Sequence, residues 1–156
     1  MKKHFLLFTA ILLLFGSFSA CKKGGQCEPI DIYPIINNPQ ATLVNTKWKL
    51  VGFVDVAEKC LKNAEPTDCE QCYTLTFYAD TLFGKTTTNS LQALYKADYE
   101  TTDIQIFDGI MTEVGENADG YRYSDALFSV RSFSLQEKEL RLYYNDNKEF
   151  LLFKLQ

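Results

Sequence analysis

The chain is built from short segments in which large apolar residues alternate with polar ones. Trp48 and Leu50 alternate with lysines in residues 46–51, and apolar residues alternate with threonines in 72–78. Period-two alternation places the apolar side chains on one face of a strand. Further predicted strands cover 81–85, 91–99, 104–107, 131–135, 139–144 and 150–155. This pattern predicts a mainly β domain of seven or eight strands that form a barrel or a curved sheet.

One segment has the periodicity of a helix. Apolar residues in 120–130 recur at the i, i+3, i+4 and i+7 positions of a single helix face: Tyr123, Ala126, Leu127 and Val130. Asp119 stands where it could cap this helix. Asp108-Gly109 predicts a hairpin turn, and the nearly continuous apolar run at 150–155 predicts a strand buried on both faces. The expected fold class is therefore α+β with one short helix.

The N-terminus has the features of an export signal. A basic start, Met1-Lys2-Lys3, precedes eleven residues, 5–15, that are apolar except for Thr9. A membrane-spanning helix needs roughly 20 apolar residues, so this stretch fits a secretory signal. It closes with Phe18-Ser19-Ala20-Cys21, which resembles the lipobox of bacterial lipoproteins. The resemblance implies cleavage before Cys21 and lipidation of that cysteine; the alternative is an ordinary signal followed by a chance cysteine.

The chain therefore divides into three predicted parts. Residues 1–20 are the signal peptide, 21–44 are the lipidated cysteine and a tether with scattered proline, glycine and asparagine, and 45–156 are one domain. Two or more acyl chains, palmitate among them, anchor a protein stably to a bilayer. The lysine pair after Cys21 stands where aspartate would resemble an inner-membrane retention signal. The expected location is the outer membrane, lipid-anchored and facing the periplasm.

Composition removes several classes of function. Without residues 1–20 the chain has 14 basic and 20 acidic residues, a net charge of −6. Nucleic-acid binders present basic patches, so no nucleic-acid partner is expected. The only histidine, His4, lies in the predicted signal peptide. Its absence from the mature chain excludes Ser-His-Asp and Cys-His nucleophiles and imidazole-based zinc sites. No catalytic residue, metal or cofactor is predicted.

Four cysteines follow Cys21. They are Cys27, Cys60, Cys69 and Cys72, and an even number in an exported chain predicts two disulfides. Three pairings are possible, of which we expect Cys60–Cys72 with Cys27–Cys69. Cys69 and Cys72 also have redox-motif spacing, but a strand pattern follows them instead of the helix N-terminus that lowers a thiol pKa. A four-cysteine metal site would need a second close pair.

A family resemblance rests on the order of several motifs. They are Thr46-Lys47-Trp48-Lys49-Leu50, Tyr73-Thr74-Leu75-Thr76-Phe77, Gly84, Asn89, Tyr95, Thr112, Glu116 and the closing segments 127–134, 140–144 and 150–153. In this order the domain, 45–156, resembles the META domain family, the HslJ-like group of small bacterial envelope proteins. Thr87-Thr88-Asn89 replaces a frequent Gly-Cys-Asn, and Ala93 replaces a glycine. The resemblance implies a compact antiparallel barrel-like sheet with one short helix against it, and it implies no known catalytic residues.

Carboxylates are the remaining catalytic candidates. Glu113, Glu116, Asp119 and Asp125 are close in sequence, and paired carboxylates can cleave glycosidic bonds. Acids beside glycine and asparagine are more often solvated loop residues. Asn117 and Asp119 suggest calcium, but the EF-hand spacing is absent.

Aromatic residues are abundant, with eight Phe and nine Tyr after Cys21. Such residues usually form the core, although some could line a barrel interior and hold an apolar ligand. The favoured interpretation is a non-enzymatic, membrane-anchored envelope lipoprotein that binds an envelope partner or supports assembly or stress tolerance. The alternatives are a binder of a small apolar ligand and, less favoured, a glycan-cleaving enzyme.

Overall fold

The computed structural model describes residues 27–156, so the predictions for Cys21 and the signal peptide lie outside the described residues. The strands are β1 (Glu28–Pro29), β2 (Thr46–Asp55), β3 (Cys60–Asn63), β4 (Thr74–Phe77), β5 (Thr81–Lys85), β6 (Ser90–Ala97), β7 (Ile104–Met111), β8 (Ser132–Leu135), β9 (Glu139–Tyr144) and β10 (Glu149–Leu155). The helix of the described range is α1 (Ala118–Phe128).

The strands form an antiparallel sheet that curls into an open half-barrel. Its order is β7-β6-β5-β4-β2-β10-β9-β8, and β3 joins β2 to β1. One edge of the ten-residue β2 pairs with two strands, because Thr46–Lys49 pair with β4 and Gly52–Asp55 pair with β3, and its other edge pairs with β10. A bridge between Asp103 and Ser132 brings the start of β7 to β8. The predicted mainly β, barrel-like fold with one short helix is confirmed over residues 27–156.

The inner face of the sheet holds the main core. Trp48, Phe77 and Phe153 are at most 1% exposed there, which confirms that Trp48 faces the core. Helix α1 packs on this face through Tyr123, whose ring meets Tyr73 edge-on at 5.6 Å between centroids. Burying each such aromatic side chain contributes roughly 1.5–3 kcal/mol. The half-barrel interior is therefore occupied by its own side chains.

A second apolar cluster lies on the outer face, under the N-terminal segment, which we define as residues 28–38. Three isoleucines of this segment, Ile30, Ile32 and Ile35, pack against outward side chains of β2, β3, β9 and β10: Val54, Leu61, Tyr143, Phe150 and Leu152. The backbone N–H of Asn38 donates to the Leu135 carbonyl at 2.8 Å. Residues 28–38 were predicted to be tether, and they lie against the domain.

This cover explains the apolar run at the C-terminus. Leu151 and Phe153 belong to the inner core, whereas Phe150 and Leu152 belong to the outer cluster. The prediction that this strand is buried on both faces is confirmed.

Two local predictions are wrong near α1. Asp108-Gly109 does not turn the chain, because β7 continues to Met111. Asp108 instead takes a positive φ of 51° within the strand. A Cβ at Gly109 would come within 2.2 Å of the Phe128 ring, so glycine lets the helix approach β7. The cap of α1 is Asn117 rather than Asp119, since the Asn117 side chain accepts from the Gly120 N–H at 2.6 Å.

Candidate functional site

The four cysteines of the described range form two disulfides, Cys27–Cys60 and Cys69–Cys72. The expected pairing of Cys60 with Cys72 and of Cys27 with Cys69 is wrong. Cys60 opens β3, a strand that is not among the predicted ones, and Pro29 pairs with Cys60 across the β1–β3 ladder. This ladder brings Cys27 beside Cys60 and leaves the close pair to bond to each other.

Lys49 stabilises the turn between Cys69 and Cys72 through hydrogen bonds. The Lys49 ammonium donates to the Cys69 carbonyl at 2.6 Å and also to the Cys72 carbonyl. Burial lowers the pKa of Lys49. Cys72 is buried, Cys69 is half-buried, and the chain enters strand β4 at Thr74. The arrangement holds the turn that leads into β4.

Glu116 is the centre of a polar network between two loops. Its carboxylate accepts from the hydroxyls of Thr86 and Thr87, from the Thr88 hydroxyl at 3.0 Å and from the Asn117 N–H at 3.0 Å. Burial alone would raise the pKa of Glu116, but these hydrogen bonds hold the pKa below its ordinary value. The carboxylate thereby fastens the β5–β6 loop to the segment before α1.

Asn89 extends this network from the other side. Only 2% exposed, it donates to the Val114 carbonyl at 2.8 Å and accepts from the Val114 N–H at 2.8 Å and the Thr112 hydroxyl at 3.0 Å. Asn89, Thr112 and Glu116 are three residues on which the family resemblance rests. The structure brings them together although more than twenty residues separate Asn89 from the others.

The other acidic candidates are spread out. Glu113 and Asp125 are exposed, and Asp119 accepts from the Glu65 N–H at 3.0 Å. Asn117, named with Asp119 as a calcium candidate, accepts from the Gly120 N–H and the Tyr73 hydroxyl. Within residues 27–156 no three His, Cys, Asp or Glu side chains are grouped closely enough to hold a metal.

Apolar side chains are exposed on the outer face of β5, β6 and β7. We call Phe83, Leu94 and Ile110 the bare apolar surface; Ile110 is 67% exposed and Phe83 43%. Phe83 and Ile110 flank Gln92 in the register of the three strands, and a shallow groove of about 300 Å³ lies between them. Sequence analysis missed this surface. Its signal was two adjacent apolar pairs, Leu82-Phe83 and Ile110-Met111, at places where strict alternation predicts one apolar residue.

Comparison with known proteins places the chain among proteins of similar fold. It is 26% identical over 157 residues to a Tannerella forsythia protein named "Putative lipoprotein", which covers 99% of this chain and 97% of that protein. A Burkholderia xenovorans protein has a similar structure, with a TM-score of 0.63, 19% identity, and coverage of 83% of this chain and 95% of that one. A DUF4847 family protein from Bacteroides vulgatus gives a TM-score of 0.56, 16% identity, and coverage of 72% and 93%.

No family model matches the sequence, so membership of the META domain family stays a prediction. At these identities the two solved structures share the fold. In the described part of the chain no helix has the length and apolar character needed to span a membrane.

Proposed function

We propose that this chain is a non-enzymatic envelope lipoprotein, held by acyl chains on Cys21, whose β domain binds a protein partner. The carrying observation is the full-length similarity to the Tannerella forsythia protein and its name. It agrees with the signal-like start that ends in Cys21. Membership of the META domain family belongs to this proposal.

The Cys27–Cys60 disulfide limits the distance between the proposed anchor at Cys21 and the β domain. Cys27 is the sixth residue after Cys21, and an extended chain spans at most roughly 3.3–3.6 Å per residue. A bilayer holding Cys21 would therefore lie within about 20 Å of Cys27. Because Cys27 is bonded to β3, the domain itself is held there. The lysine pair after Cys21 favours the outer membrane, with the domain facing the periplasm.

The bare apolar surface supports a binding role. Exposed apolar patches on a soluble domain mark interaction sites, and Phe83, Leu94 and Ile110 are all more than a third exposed. The carboxylates offered as catalytic candidates give less support to an enzyme, since Glu116 and Asp119 are already hydrogen-bonded within the fold. An apolar ligand inside the half-barrel is also less favoured, because Trp48, Phe77 and Phe153 fill that space.

Metabolic labelling with palmitate tests the anchor. The wild-type chain should take up label and sediment with membranes, and Cys21→Ser should do neither. The double substitution Cys27→Ala/Cys60→Ala is the matched cysteine control and should keep its label. Label that persists in Cys21→Ser would refute the anchor.

Photo-crosslinking in the native envelope tests the binding role. A photoreactive amino acid at Ile110 should give one discrete protein adduct. The same group at Gln105, an exposed polar residue of the same strand, should not. Equal adducts from both positions would refute a role for the bare apolar surface.

A further inference from the structure

Three lysines lie around the bare apolar surface on the outer face of the sheet. Lys47, Lys85 and Lys96 belong to β2, β5 and β6, and each alternates with residues of the inner face, so its side chain points outward. The strand registers connect the first lysine to the bare apolar surface in one row across five strands: Lys47, Thr76, Phe83, Gln92 and Ile110. Lys85 lies two residues beyond Phe83 on β5. Lys96 lies two residues beyond Leu94 on β6, at the opposite end of the surface. We call the three lysines the lysine rim.

The lysine rim has no acidic partner among residues 27–156. The ion pairs of the described range join other charged side chains. In the described strands β4 to β7, the outward positions carry threonine, serine, glutamine, lysine or apolar residues and no carboxylate. Asp108 lies in the irregular stretch of β7 opposite Ala93, which belongs to the inner core. Without residues 1–20 the chain has a net charge of −6, so this face reverses the charge of the whole domain locally.

The size of this face fits a single segment better than a folded domain. Neighbouring strands lie about 4.8 Å apart and residues rise about 3.4 Å along a strand, so the face enclosed by the lysine rim and Ile110 measures about 19 Å by about 20 Å. Its area of about 400 Å² is half of the roughly 800 Å² that each partner buries in a standard interface. A two-fold contact with a second copy of this chain would also bring one lysine rim against the other, and like charges repel. The face therefore suits a segment of a different protein.

An anionic bilayer is the other surface that lysines and apolar side chains could meet. A bilayer is an extended charged plane that acts on the whole domain, and the net charge of −6 opposes its approach. A short acidic segment on this face responds chiefly to the lysine rim, because the Debye length in physiological salt is about 8 Å. The distribution of charge therefore favours an acidic protein segment over a lipid surface.

The groups of this face are partly held in place before a partner binds. The Phe83 ring meets Tyr78 edge-on at 5.7 Å between centroids. Lys96 Nζ lies 5.8 Å from the centroid of the Phe107 ring, and Phe107 pairs with Leu94, so the ammonium leans towards the bare apolar surface. Groups that are already oriented lose less entropy on binding.

We propose that the bare apolar surface and the lysine rim together bind an acidic, amphipathic segment of an envelope protein. Apolar side chains of the segment would cover Phe83, Leu94 and Ile110, and carboxylates along its margins would pair with the lysine rim. This inference rests on the proposed function and specifies the chemistry of the protein partner.

The test changes the charge of the lysine rim in the full chain that carries the photoreactive amino acid at Ile110. In the native envelope, the triple substitution Lys47→Glu/Lys85→Glu/Lys96→Glu should lower the yield of the protein adduct about tenfold, because each exposed ion pair is replaced by repulsion. The same three lysines changed to Gln should give an intermediate yield, since attraction is lost without repulsion. Raising NaCl to about 1 M shortens the Debye length to about 3 Å and should lower the yield of the chain with an unchanged rim.

The triple substitution Lys59→Glu/Lys62→Glu/Lys138→Glu is the matched control. These three lysines are exposed and lie outside β5, β6 and β7. The control changes the net charge by the same amount as the rim variant and should crosslink like the chain with an unchanged rim. Circular dichroism checks that each variant is folded. If the Glu variant of the rim does not fold, the Gln variant and the salt dependence decide the test.

Mass spectrometry of the adduct reports the chemistry of the partner. The crosslinked peptide should contain more Asp and Glu than Lys and Arg. A neutral or basic peptide, or equal yields from the rim and control variants, would overturn this inference and leave the proposed protein partner in place. A lipid adduct at Ile110, or no adduct, would refute the binding role itself, so the two failures are distinguishable.

Discussion

The outer face of the sheet has two halves with opposite surroundings. On β2, β3, β9 and β10 the outward apolar side chains lie under the N-terminal segment, and Val54 and Phe150 are fully buried. On β5, β6 and β7 the outward apolar side chains face solvent, with Ile110 67% exposed. We call these the covered half and the bare half. The inner faces of both halves are packed with buried side chains, so the difference arises from the N-terminal segment, which lies over only one of them.

The covered half is fastened by an ion cluster as well as by isoleucines. The guanidinium of Arg141, a residue only 3% exposed, lies 3.5 Å from the Tyr33 ring centroid and 4.9 Å from that of Phe150. Its Nε is 2.8 Å from the Glu139 carboxylate, which also accepts from the Tyr33 hydroxyl. Within residues 27–156, the N-terminal segment packs on the covered half and leaves the bare half exposed. The comparison indicates that this fold buries an outer face only where a separate segment is bonded onto it.

Truncating one phenylalanine in each half should give the largest contrast. Phe150→Ala removes a fully buried side chain and should lower the free energy of unfolding by about 3–5 kcal/mol. Phe83→Ala, the matched change in the bare half, should cost less than about 1 kcal/mol. Urea denaturation followed by circular dichroism measures both values. Equal losses would show that the two halves are equally covered.

The next contrast is between the two disulfides. Removing Cys27–Cys60, which closes a loop across a sequence separation of 33, should cost about 4 kcal/mol in the chain-entropy model. Removing Cys69–Cys72, with a separation of 3, should cost about 2 kcal/mol. Double Cys→Ala variants of each pair, compared by urea denaturation, test this order. Only the first should also raise hydrogen exchange in residues 30–38; exchange unchanged there would mean that packing alone holds the N-terminal segment.

Lowering the pH should loosen the covered half. Burial alone would raise the pKa of Glu139, but hydrogen bonds from Lys154, Tyr33 and Arg141 lower it below its ordinary value. Because the folded-state pKa is the lower one, this stabilisation is complete above the unfolded pKa of about 4.3. It is lost as the pH falls through the folded pKa. Stability measured against pH should therefore fall less steeply for Glu139→Gln than for the wild type in this acidic range. Parallel curves would show that Glu139 does not contribute to the pH dependence of stability.

Sequence reasoning predicted the inner core better than the outer cover. Period-two alternation located Trp48, and the unbroken apolar run at 150–155 revealed that β10 has two buried faces. The sequence did not reveal which segment of the chain buries the outer face of β10. The covering isoleucines lie among prolines and asparagines without periodicity, so that stretch was interpreted as tether. Contacts between irregular segments and a sheet leave no periodic signal.

The cysteine pairing failed for a related reason. β3 has only four residues, too few for a clear alternation, and without it Cys60 has no predicted neighbour. The family resemblance pointed to Asn89, Thr112 and Glu116 but did not predict that they contact one another. These residues meet through loops, and the spacing of residues in a sequence does not reveal which loops come together.

The smallest expected effect is the sharpest test of the bare half. Ile110→Ser should change the free energy of unfolding by no more than about 0.5 kcal/mol, because a mostly exposed side chain loses little on substitution. Val54→Ser, at a fully buried position of the covered half, is the control and should cost several times more, since it creates a cavity and buries a hydroxyl. Both are measured by urea denaturation on the chain outside membranes. A loss above about 1 kcal/mol for Ile110→Ser would mean that something covers this surface in the isolated protein. The two halves would then differ only in which segment covers them. The bare apolar surface could no longer serve as the site for a partner.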